Sequence, residues 1–327
     1  MSAHPESRES QPLTHVMRAD IDPSSRLIIE EAKRRGIGVE VLAPRAEYFR
    51  LRLGARAIVC RESLSQLTHA IALSRCDDKR TTSRLLAQAG LSVPEQVEAG
   101  RTHANLAFLH KHGAIVVKPA QGEQGKGVCV GVRTPDALKD AVARASAVSQ
   151  VVLLEELVSG EDLRIIVIDG KLVAAALRRP PQVVGDGKRS LRALIVEESR
   201  ARAEATSGES SIPFDLETER CVREAGYELS QILPSGQALT VRNTANVHTG
   251  GTIHDVTHEL HPTLGEVACR AAQVLDIPVV GLDLIVPSLR AEQYAILEAN
   301  ERPGLCNHEP QPVAARFVDF LFPESRN

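Results

Sequence analysis

Residues 119–128 read PAQGEQGKGV, flanked by AIVVK (114–118) and VCVGV (128–132), both rich in β-branched residues. A glycine-rich stretch that joins strand to strand, rather than strand to helix, restricts the fold sharply. A Walker A loop needs Gly-Lys-Ser/Thr opening a helix, and here Gly125-Lys126 is followed by Gly127. A dinucleotide fingerprint needs a third glycine where Val130 stands. What remains is a β-hairpin whose backbone N–H groups can meet phosphate oxygens without a helix dipole. Lys118, closing the preceding strand, can add its ammonium to the same site. Taken alone, the stretch reads equally well as a glycine hairpin beside a surface lysine.

A second constellation supplies what a phosphate site needs. Asp283 lies in the strand-like run VVGLDLIVP, and Glu298 and Asn300 lie in YAILEAN. Two residues apart on a strand, Glu298 and Asn300 share one face. With Asp283 from a neighbouring strand they offer three oxygen ligands to a hard cation. Mg²⁺ is favoured because it takes one or two carboxylates plus substrate phosphates. Each of the three can also be read as a cap or a salt-bridge partner.

The surrounding chain reads as mixed α and β. SSRLIIEEAKRRG (24–36) predicts a capped amphipathic helix, and VEVLA and AIVC extend it to a small α/β unit over 15–75. CDDKRTTSRLLAQAGLSVPE predicts a second helix with an acidic start, a stop at Gly90 and Pro94 beyond. PDALKDAVARASA, SLRALIVEESRARAEA, DLETERCVREAG and HPTLGEVACRAAQVL predict further helices. VVLLEEL and LRIIVIDGKLVAAALRR predict strands, with IDGKL as a tight hairpin turn. HDVTH (254–258) mimics a His-Glu-x-x-His zinc motif, but it is short and β-branched, so it reads as a strand-to-helix loop.

Composition excludes several classes. The 327 residues carry a net charge of −3 with interspersed signs, 3% aromatics and no Trp, which argues against nucleic acid as a partner. No apolar run nears the roughly 18 residues a bilayer span requires. The polar N-terminus has no apolar core of a signal peptide, and its residues 1–14 read as a disordered tail. Six scattered cysteines without a Cys-x-x-Cys pair read as reduced thiols of a cytoplasmic protein.

Over residues 70–322 the chain resembles the ATP-grasp carboxylate–amine ligases. The resemblance rests on DDKRTTSRLLAQAGLSVP, VVKPAQGEQGKGV, LLEELVSGEDLRIIVIDGKLVAAALRRPPQVVGDGKRSL, NTANVHTGGT and LEANERPGLCNHEPQP. RRPP and TANVHTGG are similar to the ATP-grasp region of cyanophycin synthetases. GGTIHDVT and EANERPGLCNHEPQP are similar to the ligase half of N-acetylglutaminylglutamine synthetases.

The resemblance implies an ATP-grasp fold of two α+β lobes behind a small pre-ATP-grasp α/β subdomain. The nucleotide-closing lobe is expected over 76–160 and the catalytic lobe over 161–327. It implies ATP and Mg²⁺ (or Mn²⁺) as cofactors. Lys79 and Lys118 would contact ATP phosphates, and Gly125 and Gly127 would belong to the closing loop. Glu156 and the backbone of Leu157 would meet the adenine edge, with Asp162 near the ribose. Asp283, Glu298 and Asn300 would hold the metal. Arg242 and Asn246 would lie where an acyl-phosphate forms, and Arg164, Arg178 and His248 would contact substrate carboxylates or, alternatively, form structural salt bridges.

The expected reaction activates a glutamate- or glutamine-type carboxylate, N-acetylated or not, as an acyl-phosphate. An amino-acid amine then captures it. The first 75 residues are too short for the acetyltransferase domain of the N-acetylglutaminylglutamine relatives. The Mur-ligase half of cyanophycin synthetases is not represented either. The acetyl group is therefore expected from elsewhere, or the substrate differs, with an acetyltransferase or amidotransferase as pathway partner. A homodimer is the base-rate expectation. Rival readings are a different amino-acid ligase, a phosphotransferase, and a nucleotide-binding regulatory protein without catalysis.

Overall fold

A computed structural model describes residues 21–43, 47–122, 125–206, 208 and 210–326. The tail expected over 1–14 lies outside the described residues, as do Glu123 and Gln124 of the glycine hairpin. The chain divides into two compact units, one formed by 1–68 with 304–327 and the other by 69–303.

In the first unit, helix α1 (Pro23–Arg34) starts where the Asp22 carboxylate accepts from the Ser25 N–H at 2.7 Å. Strands β1 (Gly38–Val41), β2 (Tyr48–Leu53), β3 (Arg56–Arg61) and β4 (Leu64–Ser65) form an antiparallel meander in that order. β2 alternates strictly: Phe49 and Leu51 are buried while Arg50 and Arg52 point away. The last helix, Val313–Leu321, packs against α1, and Arg35 joins them through Asp319 at 2.6 Å. The segment after Pro303, expected from sequence in the catalytic lobe, thus groups with the N-terminal meander.

The second unit opens with α2 (Ala70–Asp77) and α3 (Lys79–Gln88), broken at Asp78. Asp78 is extended, and its carboxylate caps the amides of Arg80 and Thr81, so one continuous helix is not formed. Next come β5 (Gln96–Glu98), α4 (Thr102–His112), β6 (Ile115–Pro119), β7 (Cys129–Val132), α5 (Pro135–Ser146) and β8 (Val152–Glu156). They build a sheet in the order β5-β8-β6-β7, with α4 and α5 covering a core of Phe108, Leu109, Leu138 and Val117.

β9 (Glu161–Ile168) and β10 (Lys171–Arg179) form the hairpin expected around Asp169-Gly170; both turn residues adopt positive φ, 53° and 69°. β11 (Gln182–Val184), α6 (Leu191–Ala205), α7 (Leu216–Glu224) and β12 (Ala238–Thr240) make a small satellite with its own apolar cluster. β13 (Thr252–Asp255), α8 (Pro262–Leu275), β14 (Val279–Val286) and β15 (Ala295–Asn300) complete a sheet in the order β13-β10-β9-β14-β15. His254 and His258 therefore sit on and just after a strand, not along a helix.

Alternation decides what this sheet shows on each face. Leu163, Ile165 and Val167 of β9 and Val280, Leu282 and Leu284 of β14 bury against α8. Asp162, Arg164 and Asp283 consequently lie on the opposite face. Among the described residues no helix is long and apolar enough to cross a membrane.

Candidate active site

The register of the larger sheet assembles a charged cluster. Asp283 on β14 pairs with Arg164 on β9 and with Glu298 on β15; Gly281 pairs with Asn300, and Arg178 on β10 with Asp162 on β9. A bulge between Asp283 and Leu284 lets Leu297 be skipped, so Glu298 and Asn300 keep the polar face.

Two guanidinium groups fork onto Asp283. Arg164 donates through Nε to Oδ1 and through Nη2 to Oδ2 at 3.1 Å. Arg178 Nη2 lies 2.9 Å from Oδ2, while its Nε and Nη2 donate to Asp162 at 2.9 and 2.7 Å. Gly281 makes room for this: a Cβ there would lie 2.9 Å from Arg164 Nη1 and 2.9 Å from the Pro303 Cβ. Burial alone would raise the Asp283 carboxyl, but Arg164 and then Arg178 outweigh it and hold it far below the usual carboxylate range. For Asp162 burial wins over Arg178, and with the nearby Asp283 charge it pushes the carboxyl up.

Glu298 is the open end of the cluster. Its side chain is 31% exposed, and Lys79 Nζ lies 3.6 Å from Oε2. Asn300 donates from Nδ2 to the Gly281 carbonyl at 3.3 Å and to Glu298 Oε1 at 3.4 Å, which leaves Oδ1 as its atom for a cation. Lys79 is the first residue of α3, and both of its nitrogens hold the base of the glycine hairpin. Its backbone N donates to Ala120 O at 3.1 Å and its Nζ to Gly122 O at 3.0 Å. Three acids (Asp162, Asp283, Glu298) and three bases (Lys79, Arg164, Arg178) thus balance in formal charge.

Among the described residues no group of three His, Cys, Asp or Glu could hold a metal by itself. Two carboxylates and one amide suit an ion that completes its shell with water and ligand phosphates, which is the habit of Mg²⁺. The donor set fits that ion, with Asp283 already oriented by its arginines.

The smaller sheet carries the hairpin residues. β6 and β7 flank the glycines as strands, as expected from sequence. Gly125 and Gly127 have φ of 72° and 75°, where a side chain would be strained. A Cβ on Gly127 would lie 3.0 Å from Val148 Cγ2 and 3.3 Å from Ala145 Cα, so the hairpin stem rests on the end of α5. Lys118 is buried, and its ammonium sits 2.6 Å from the equally buried Glu155, which also accepts from Gln96 Nε2 at 2.9 Å. Glu156 closes β8; its backbone N donates to Glu95 O at 2.9 Å and its carboxylate accepts from Glu95 N at 3.2 Å. Leu157 follows directly, half-buried, outside the strand.

The remaining predicted residues lie in the segment after β12. Arg242 is 7% exposed and donates through Nη1 to Asp215 Oδ1 at 2.6 Å and Thr218 Oγ1 at 2.8 Å. Asn246 Oδ1 accepts from the His248 N–H at 2.9 Å and caps the 3₁₀ turn Val247–Thr249, leaving the His248 side chain exposed. Gly251 is required there, since a Cβ would lie 2.5 Å from the Ala245 carbonyl oxygen.

The sequence-predicted residues fall into three groups. Lys79, Asp162, Arg164, Arg178, Asp283, Glu298 and Asn300 converge on one sheet face. Lys118 and Glu156 lie on strands β6 and β8, with Gly125 and Gly127 in the β6–β7 connection and Leu157 just past β8. Arg242, Asn246 and His248 lie on the 241–251 segment. Sequence reasoning missed Glu155 as the partner of Lys118, Gly281 as the space for Arg164, and Asp215 as the partner of Arg242. Only the Gly-x-Asp spacing of Gly281 and Asp283 carried a sequence signal for any of them.

The chain is similar to several known proteins. Residues 88–211 match the family described as prokaryotic glutathione synthetase, ATP-grasp domain. A cyanophycin synthetase from Nostoc sp. is 30% identical over 325 residues, covering 94% of this chain and 36% of the relative. A glutathione biosynthesis bifunctional protein GshAB from Desulfotalea psychrophila is 27% identical over 315 residues, covering 92% and 40%. The chain thus spans well under half the length of these relatives. The crystal structure of a bifunctional glutathione synthetase from Pasteurella multocida superposes with a TM-score of 0.65 at 23% identity, covering 94% of this chain and 44% of that one. A D-alanine–D-alanine ligase from Bacillus anthracis superposes with a TM-score of 0.50 at 15% identity, covering 79% and 70%. Residues 88–211 thus resemble an ATP-grasp domain, and the chain has an ATP-grasp fold.

Proposed function

We propose that this chain is an ATP- and Mg²⁺-dependent ligase that activates a carboxylate as an acyl-phosphate and joins it to an amino-acid amine, releasing ADP and phosphate. The observation that carries this reading is the convergence of Lys79, Arg164, Arg178, Asp283, Glu298 and Asn300 on one sheet face. The relatives named cyanophycin synthetase and GshAB support a ligase that makes peptide-type bonds.

Asp283, Glu298 and Asn300 would hold Mg²⁺, which when bound offsets charge on the transferring phosphoryl group. Arg164 and Arg178 keep Asp283 ionised and fix its orientation. They also present guanidinium faces to phosphate or substrate carboxylate. Lys79, anchored at the hairpin base, would place its ammonium on the nucleotide phosphates, and the N–H groups around Gly125 and Gly127 would cover them. Lys118 would reach the phosphates from beside Glu155, while Glu156 and Leu157 would line the adenine edge. Arg242 and Asn246 would set the 241–251 segment against the acyl group, where cationic and amide donors favour the tetrahedral intermediate. Exclusion of water by the hairpin protects the acyl-phosphate from hydrolysis.

The carboxylate is of glutamate or glutamine type, N-acetylated or not, and the product is a dipeptide-like amide, as in N-acetylglutaminylglutamine synthesis. The similarity to cyanophycin synthetase over 94% of the chain favours as second reading a ligase that extends another amino acid or peptide. A screen of amino acids and N-acetylamino acids for stimulated phosphate release, with products identified by mass, separates the two. ATP hydrolysis that no amine stimulates, or a stable phosphorylated product without an amide, would refute the ligase reading.

A further inference from the structure

β7 is an edge strand of its sheet, bonded on one side to β6. An edge carbonyl needs a partner from outside the sheet. Val130 O finds one in Arg220 of α7, whose Nη2 donates to it at 3.2 Å. The guanidinium is oriented by its own helix before it reaches β7. Glu217 accepts from Nε at 3.0 Å and from Nη2 at 2.6 Å, and Glu224 accepts from Nη1 at 2.6 Å. These partners sit three residues before and four after Arg220, so all three side chains lie on one helix face.

The same helix is bolted to the 241–251 segment at its start. Asp215 Oδ1 caps α7 by accepting from the amides of Glu217 and Thr218 at 3.1 and 3.0 Å, and it accepts from Arg242 Nη1 as well. Thr218 Oγ1 is the second acceptor for Arg242 and itself donates to Pro213 O at 2.6 Å. α7 is nine residues long, so a rigid shift at one end is transmitted to the other.

The geometry points to α7 as a strut between the acyl-side segment and the phosphate hairpin, with Arg220 as the positioning residue that sets β7. Arg220 touches no reacting atom; it acts by holding β7, the return strand that follows Gly127. The inference rests on the hairpin being the nucleotide lobe, as proposed above.

The test uses the full chain and ADP with Mg²⁺ as probe, read by titration calorimetry and by hydrogen exchange of the peptide spanning 125–132. Arg220→Met is expected to weaken ADP about tenfold and to speed exchange in that peptide, with exchange in β14 and β15 unchanged. Arg220→Lys, which keeps one donor, should recover part of both changes. Asp215→Asn should weaken ADP in the wild-type background and add less than its own effect to Arg220→Met, because the strut is already cut. Should Arg220→Met fail to fold, Glu217→Gln, which removes the brace but leaves the donor, should give the same changes at smaller size. Wild-type affinity and exchange in the Arg220 or Glu217 variants, or full additivity with Asp215→Asn, overturns the strut. Wild-type protein that binds no ADP overturns the nucleotide reading beneath it.

Discussion

Two buried ion-pair sites in the second unit solve the same electrostatic problem in opposite ways. Lys118 and Glu155 form an isolated pair, 7% and 4% exposed, with one extra hydrogen bond from Gln96. The cluster around Asp283 is a graded network, closed at Arg164 and Arg178 and opening at Glu298 and Lys79. A lone pair in an apolar sheet is all-or-none, because removal of either partner strands the other. A network with an exposed rim can change partners at the rim while its buried members stay fixed. The first arrangement fixes the Lys118 ammonium beside Glu155, from where it can add a phosphate contact, and the second can exchange protein ligands for incoming ones.

Substitutions that break each site should separate these behaviours. Lys118→Met leaves Glu155 buried and unpaired and is expected to destabilise the protein by about 3–5 kcal/mol; Lys118→Met with Glu155→Leu should recover most of it. Denaturant unfolding of the three variants checks this, and equal losses in the single and double variants would break the contrast. Glu298→Gln should lower turnover by at least about 100-fold while changing stability by less than about 1 kcal/mol, measured as phosphate release beside thermal unfolding. Gly281→Ala pushes a methyl into Arg164 and Pro303 and is expected to cost about 1–3 kcal/mol, readable in the unfolding midpoint.

The smallest effect is on Asp215. Burial would raise its carboxyl, but the Arg242 guanidinium and the Thr218 amide outweigh it and hold the carboxyl below its usual value. The folded value is depressed, so the stability this group contributes is fully present above the unfolded value. It is lost as pH falls through the folded one. The gap in melting temperature between wild type and Asp215→Asn should therefore close as pH is lowered from about 6 to about 3. A gap independent of pH would show that Arg242 does not depend on this charge.

The glycine hairpin and the Asp283/Glu298/Asn300 face were legible in the sequence because each depends on local spacing. β-branched runs on both sides of Gly125 and Gly127 leave little but a hairpin, and an i, i+2 pair on a strand must share a face. The partners were not legible, since they follow from register between strands distant in sequence. Nothing near Lys118 points to Glu155, and nothing near Asp283 says that Arg164 and Arg178 will fork onto it. In sequence Asp78 looks like an acidic helix start, although an Asp that can cap also permits a new helix axis. β2 has no apolar run to signal it, because its alternating arginines mask Phe49 and Leu51. The return of 304–327 to the N-terminal meander has no local signature, because only the burial of Phe317, Val318 and Leu321 requires it.

The equal count of acids and bases on the charged face bears on how ions arrive. A site with no net charge exerts little long-range pull on a lone cation or a lone anion, and counter-ions in solution have little field to screen. A metal–phosphate pair that enters together meets opposite charges on each side and keeps the balance; either ion alone upsets it. Nucleotide uptake by this chain should accordingly vary little with ionic strength, and the free nucleotide should be a poorer guest than its metal complex.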